Sequence, residues 1–207
     1  IRKDNNMFTN KKKIALIGTG MVGMSFAYAA LNQNLCDELA LIDINEQRAR
    51  GEAMDLNHGI AFSPASTKIY AGSYSDCKDA DIVVICAGAN QRQPSQSRLD
   101  LLKGNYEIFQ KIVPQVTESG FDGIFIVATN PVDIMTRITC ELSGFKSEKV
   151  IGTGTTLDTA RLRYLLGEYF EVDPRNIHAY VIGEHGDSEF VPWSQALIAV
   201  KPICDVL

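Results

Sequence analysis

Short apolar runs alternate with longer stretches of helical periodicity along the first three quarters of this chain. Lys13–Ile17, Glu38–Ile42, Asp81–Ala87, Gly123–Val127 and Lys149–Ile151 are almost uniformly apolar, which predicts strands covered on both faces. Val22–Gln33, Glu46–Asn57 and Ser97–Ser119 carry helical spacing between them, the last with Pro114 as an expected kink. That rhythm implies βαβ units and a parallel sheet. Regular alternation ends near Ile151, where Thr156–Phe170 predicts another helix and Asn176–Ile182 another strand. We expect an α/β domain over residues 11–151 and the start of an α+β domain over residues 152–207. Residues 1–10 are too polar for a secretory signal and read as a disordered extension or a tag remnant.

Composition narrows the function classes. With 45% hydrophobic and 22% charged residues, the 207-residue chain can bury a sizeable core, and its net charge of −5 is spread without long basic runs. Lys11–Lys13, the one basic cluster, reads as a solvated run leading into the first strand, so no nucleic-acid footprint is expected. No apolar stretch approaches the ~18 residues that would cross a bilayer, so no membrane association is expected. The five cysteines, Cys36, Cys77, Cys86, Cys140 and Cys204, are scattered and never in CxxC spacing. That pattern argues against a disulfide framework and a zinc site and suits a reducing cytoplasm; no metal is expected.

The first chemical signal is Gly18-Thr19-Gly20-Met21-Val22-Gly23, a GxGxxG that leaves a predicted strand and opens a predicted helix. Gly18 permits a tight turn, Gly20 lets a pyrophosphate approach the backbone, and Gly23 lets helix and strand pack closely. The free N–H groups of the helix start, around Met21 and Val22, face the anion. Asp43 ends the second predicted strand, where a carboxylate accepts hydrogen bonds from ribose hydroxyls and repels a 2′-phosphate. NAD is therefore the expected cofactor in preference to NADP. The bland alternative is a packed turn, with Asp43 only capping the next helix.

The second signal is Ile182-Gly183-Glu184-His185-Gly186-Asp187-Ser188, with Asp158-Thr159-Ala160-Arg161 upstream and Arg98 in a polar, Gln-rich segment. Hydride transfer to a 2-oxo acid builds negative charge on the carbonyl oxygen, and an imidazolium can donate a proton to it. A carboxylate such as Asp158 favours the charged imidazole and fixes its tautomer. A substrate carboxylate is matched by the planar fork of an arginine. A lone histidine between glycines is more often a structural loop residue, so the combination carries the reading.

Together with Gly51-Glu52-Ala53-Met54-Asp55-Leu56, Thr129-Asn130-Pro131-Val132-Asp133 and Gly154-Thr155-Thr156-Leu157-Asp158, these motifs resemble the signature set of the lactate/malate dehydrogenase family, from Met7 to about Ser194. The resemblance implies a Rossmann-type doubly wound parallel sheet followed by a substrate domain. It implies His185 as proton donor and acceptor, Asp158 as its partner, Arg161 as carboxylate clamp, and Arg98 polarising the carbonyl from a mobile loop. Asn130 would bind the substrate oxygen and help orient the nicotinamide. The lactate-type form of the histidine motif and Pro192-Trp193-Ser194 point to pyruvate and lactate as the substrate pair.

The family selects its substrate side chain with one residue before Arg98, glutamine for lactate and arginine for malate, and here the segment looks one residue longer than usual. Counting forward from Gly88 puts Gln91 there; counting back from Arg98 puts Arg92. An inserted residue is most easily placed at an exposed loop tip, which favours Gln91. Pro94-Ser95-Gln96-Ser97-Arg98 also lacks the family's usual Gly and Glu, which bears on loop closure. Arg163 and His178 resemble a fructose 1,6-bisphosphate site of allosteric members, with ordinary surface charge as the other reading, and the resemblance further implies a homotetramer. Complete relatives continue beyond Leu207, so a C-terminally incomplete chain is expected, one that binds cofactor even if turnover is lost. Two other classes share such a cofactor domain: a metal-dependent NAD-using glycosidase, which the absence of a cysteine beside His185 disfavours, and a non-catalytic NAD-binding unit.

Overall fold

The computed structural model describes residues 11–64, 66–89 and 98–206, with side chains from Leu101 onward in the last stretch. The expected extension at residues 1–10 and the alternatives Gln91 and Arg92 lie outside the described residues.

Six strands, β1 (Lys13–Ile17), β2 (Glu38–Ile42), β3 (Lys68–Ala71), β4 (Ile82–Ile85), β5 (Ile124–Val127) and β6 (Val150–Gly152), form one sheet in the order β3-β2-β1-β4-β5-β6. Every pairing in it is parallel. Helices α1 (Met21–Asn32), α2 (Glu46–Gly59), α3 (Arg98–Glu118) and α4 (Val132–Ser143) connect the strands, and α5 (Thr156–Phe170) follows β6. Alternate residues of each strand feed opposite faces. Ile14, Leu16, Leu39, Leu41 and Val84 pack with Ala27 and Leu31 of α1 and with Ala53 and Leu56 of α2. Ala15, Ile17, Val83, Ile85, Phe125 and Val127 pack with Phe109, Ile112, Val113 and Val116 of α3 and Met135 of α4. A sheet covered on both faces needs no polar alternation, which is why β1 reads KIALI and is buried throughout. This is a doubly wound Rossmann-type architecture, whose strand order reverses between β1 and β4.

Strand β3 and helix α4 go beyond the elements that the sequence pattern predicts. β3 is a four-residue edge strand with only Ile69 fully buried, too short and too polar to stand out. In α4, Val132, Ile134, Thr136, Ile138 and Thr139 carry β-branched side chains that blur a helical signal. The helix forms because one face packs on the sheet through Met135, and it stops at Gly144, whose φ of 68° is left-handed. Helix α3 runs through Pro114 to Glu118.

The long strand expected over Asn176–Ile182 is corrected. Only β7 (Ile177–His178) pairs, antiparallel with β8 (Leu197–Ile198), which in turn pairs with β9 (Lys201–Pro202). The physical reason lies at Val181, whose carbonyl accepts from the Thr155 hydroxyl at 2.7 Å and whose N–H donates to the Thr159 hydroxyl at 3.0 Å. Helix α5 thus takes the backbone groups that a strand partner would have used. The chain pairs again only at an isolated Ile182–Phe190 bridge. Ile177, Ala179, Ala196 and Ile203 build a second, small core against Leu162 and Leu166 of α5. No helix among the described residues is long and apolar enough to cross a membrane.

Candidate functional site

After β1 the backbone turns at Gly18 with φ 99°, and a Cβ there would stand 2.5 Å from the Ala87 nitrogen of the neighbouring β4 end. A Cβ on Gly23 would overlap the Gly18 carbonyl oxygen. Both glycines are thus required by contact, and they set how closely α1 sits on β1 and β4. Gly20 differs: it is the N-cap of α1, and nothing lies within 4 Å of where its Cβ would be. No side chain caps this helix, and Met21 and Val22 are exposed. Uncapped N–H groups at a helix start, open ground in front of them and the positive end of the helix dipole together fit a pyrophosphate.

Asp43 follows β2 on the same sheet edge. Its Oδ2 accepts from the Thr19 N–H at 2.8 Å and the Thr19 hydroxyl at 2.9 Å, and its Oδ1 from the Asn45 N–H at 2.9 Å. Burial pushes this carboxyl's pKa upward, but the hydrogen bonds from Asn45 and Thr19 and the charge of Arg48 outweigh it and hold it below its ordinary value. Asp43 is therefore ionised at neutral pH. The capping alternative belongs to Asn45, whose side chain accepts from the Arg48 N–H at 3.0 Å. Thr19, which braces Asp43, was not singled out from sequence.

The loops after β4 and β5 close the next part of the edge. The Thr129 hydroxyl donates to the Ala87 carbonyl at 2.8 Å. Asn105, on α3 and 1% exposed, accepts from the Ala89 N–H at 2.7 Å and donates to the Asn130 carbonyl at 2.6 Å. Its buried amide ties the two loops together. A signal for Asn105 existed: it extends the buried stripe of Phe109, Ile112, Val113 and Val116 backward by one turn, and a polar residue in a core position needs partners. Arg98 is the first residue of α3.

His185 sits on the loop after Ile182, with its side chain 30% exposed. Its Nδ1 lies 2.6 Å from Asp158 Oδ2, on the first turn of α5. The Asp158 carboxylate is only 10% exposed, and its other oxygen accepts from Arg161 at 3.2 Å, one turn along the same helix. Arg161 is 63% exposed, and among the described residues Asp158 is its one ion-pair partner. Glu189 brings a second carboxylate to 3.6 Å from Nδ1, and the His185 N–H donates to Asp133 Oδ2 at 2.9 Å. Asp158, His185 and Glu189 offer ligand atoms within 4.8 Å of one another, yet the Arg161 guanidinium on Asp158 opposes an incoming cation. With Asp158 on Nδ1, the ring keeps Nε2 for proton exchange. Glu189 and Asp133 were not identified from sequence, because their role depends on tertiary contacts.

Arg163 lies on α5 and His178 on β7, two elements that pack together, with His178 exposed.

A doubly wound sheet with a glycine turn and an acid at the end of β2, joined to a histidine–aspartate pair, defines the class of dinucleotide-binding α/β proteins. Comparison with known proteins sharpens this. The model of the lactate/malate dehydrogenase NAD-binding domain matches residues 12–152, and that of the family's α/β C-terminal domain matches residues 155–207. The chain belongs to the lactate/malate dehydrogenase family. It is 58% identical over 195 residues to the L-lactate dehydrogenase of Geobacillus sp. strain WCH70, covering 94% of this chain and 61% of the relative. It is 55% identical over 195 residues to L-lactate dehydrogenase 2 of Bacillus cereus, covering 94% of this chain and 62% of that protein. Among solved structures, the ligand-bound minor L-lactate dehydrogenase of Enterococcus mundtii superimposes with a TM-score of 0.92 at 48% identity, covering 95% of this chain and 62% of that one. The chain thus spans about three fifths of the length of the relatives it matches.

Proposed function

We propose that this chain carries the cofactor site and proton-transfer groups of an NAD-dependent L-lactate dehydrogenase, which interconverts pyruvate and lactate. The observation that carries the reading is the 2.6 Å contact between His185 Nδ1 and Asp158 Oδ2, with Arg161 on the same carboxylate. The similarity to L-lactate dehydrogenases over nearly all of this chain supports the substrate class. When bound, NADH supplies the hydride and NAD accepts it.

The chain's own residues do the rest. The uncapped start of α1, around Met21 and Val22, holds the pyrophosphate on backbone N–H groups over Gly20, and ionised Asp43 accepts from the ribose hydroxyls. Asp158 accepts from Nδ1 and stabilises the imidazolium, whose Nε2 proton goes to the carbonyl oxygen as negative charge develops there. In lactate oxidation the same nitrogen takes the proton back. Arg161 exchanges its Asp158 contact for the bidentate grip of a substrate carboxylate. Asn130 orients the substrate oxygen, Arg98 polarises the carbonyl, and Gln91 selects the methyl side chain of pyruvate; their parts rest on the family resemblance.

Arg163 and His178 are read as one half of a fructose 1,6-bisphosphate site completed by a partner subunit in a homotetramer. An arginine and an exposed imidazole on two packed elements offer hydrogen-bond donors to a bisphosphate. All five cysteines are free thiols, in keeping with a cytoplasmic setting.

NADH oxidation with pyruvate and with oxaloacetate, each with and without fructose 1,6-bisphosphate, tests the proposal. Pyruvate preferred over oxaloacetate is the expected result, with activation by the bisphosphate. Preference for oxaloacetate would replace Gln91 by Arg92 as selector and lactate by malate. NADH binding without turnover of either would make the chain a cofactor-binding unit.

A further inference from the structure

We propose that Asp133 is a positioning residue for proton transfer, holding the His185 backbone so that the imidazole keeps a fixed place relative to the Asn130 turn. The proposal rests on the reading of His185 as the proton donor. Asp158 fixes the ring of His185 but not its main chain. Its loop is flanked by Gly183 at φ 100° and Gly186 at φ 141°, residues whose backbone is free to turn either way. Ring and backbone therefore need separate anchors.

Asp133 supplies the second. Its Oδ2 accepts from the His185 N–H at 2.9 Å across 52 residues of sequence. It stands in the first turn of α4, where the helix dipole favours a carboxylate, and a bond to an ionised acceptor is stronger than a neutral one. Asp133 also lies three residues after Asn130, whose carbonyl is held by the buried Asn105 amide, which in turn holds Ala89. Two hydrogen-bonded links, Ala89–Asn105–Asn130 and Asp133–His185, are thus joined by the three-residue covalent step from Asn130 to Asp133. Together they join the end of the sheet, where a nicotinamide would lie, to the group that handles the proton. Charged groups around His185 include Asp158 from α5, with Arg161 on that carboxylate, Asp133 from α4, and Glu184, Asp187 and Glu189 from its own loop, where Glu189 accepts from the neighbouring Gly186 N–H at 3.4 Å. Of these, Asp133 bonds its main chain.

The test compares Asp133→Ala, which removes the acceptor, with Asp133→Asn, which keeps an acceptor oxygen of the same reach. Misplacement by about 1 Å costs on the order of 100-fold, so Asp133→Ala is expected to lower kcat by ~10–100-fold while NADH affinity stays within about twofold. Hydrogen exchange at the His185 amide should accelerate by ~10-fold or more as its acceptor is lost. Asp133→Asn should restore both to within ~5-fold of wild type, because the bond geometry survives without the charge.

Unchanged kcat and unchanged exchange in Asp133→Ala would overturn the proposal. So would equal kcat losses in Ala and Asn variants with the amide still protected, since that outcome assigns the effect to charge. If Asp133→Ala does not fold, Asp133→Ser, which is too short to reach the amide, takes its place; failure of both to fold would make Asp133 structural and overturn the positioning role. A wild-type protein that binds NADH but does not reduce pyruvate would overturn the lactate reading instead. The His185 amide exchange would then still decide whether Asp133 holds the loop.

Discussion

The two ends of the site are built by different physics. At the cofactor end, geometry is set by steric contact between backbones: Gly18 against Ala87, Gly23 against Gly18, and an uncapped helix start. At the end proposed for proton transfer, geometry is set by carboxylates, with Asp158 on the ring of His185 and Asp133 on its main chain. Close-packed backbone tolerates almost no side-chain change but is indifferent to pH. Hydrogen-bonded carboxylates tolerate changes of shape but depend on charge. The comparison teaches that the two ends should fail separately and in different ways.

Asp158→Asn breaks the proton-transfer end alone. It removes the anion that stabilises the imidazolium, so turnover with pyruvate should fall by ~10²–10⁴-fold, the range lost with a general acid–base group, while NADH binding is kept. Steady-state kinetics with a parallel fluorescence titration of NADH would show the split. Gly23→Val breaks the other end. Side-chain atoms forced against the Gly18 carbonyl should destabilise the fold by about 1–3 kcal/mol, measured by urea unfolding, with NADH affinity lost in the same variant. Asp43→Ser sharpens the comparison within the cofactor end, because it removes a charge and leaves the packing. NADPH should gain on NADH by roughly tenfold in kcat/KM, the scale of one charged contact.

Acidification acts at the cofactor end too, through the carboxylate that its backbone packing does not supply. The pKa of Asp43 is depressed in the folded protein, so its contribution to stability is complete above its unfolded pKa and is lost as pH falls through the lower folded value. Melting temperature in the acid range should fall for wild type more than for Asp43→Ser. The smallest effect concerns the thiols. Burial pushes Cys77 up to about 12 and Cys86 up to about 11, while Cys204 is exposed, so a thiol reagent near neutral pH should label Cys204 first and leave NADH binding intact. Mass spectrometry of the labelled peptides would give the order.

Strands β1 and β2 were legible to the residue because burial on both faces leaves an unbroken apolar run, and α5 has the bounds expected for it, Thr156–Phe170. Helix α4 and strand β3 were not: one is rich in β-branched residues and the other is a short edge. The strand expected to Ile182 failed because Thr155 and Thr159 engage Val181, a long-range contact no local pattern carries. The same holds for the site. Gly18 and Asp43 stand in a local motif whose spacing has a mechanical reason, whereas Asp133 and Asn105 act through partners far away in sequence. Asp158 and Arg161 share a helix turn, but only the folded chain brings that turn to His185.

The central claim is that the pyrophosphate and ribose contacts, at the Gly18 turn and Asp43, do not depend on the groups that hold His185. A fluorescence titration of NADH into His185→Asn tests it most directly. The account predicts a Kd within about twofold of wild type, because no contact made by His185 reaches the Gly18 turn or Asp43. A Kd weakened by tenfold or more, with the fold intact, would contradict it and make the two ends one coupled site.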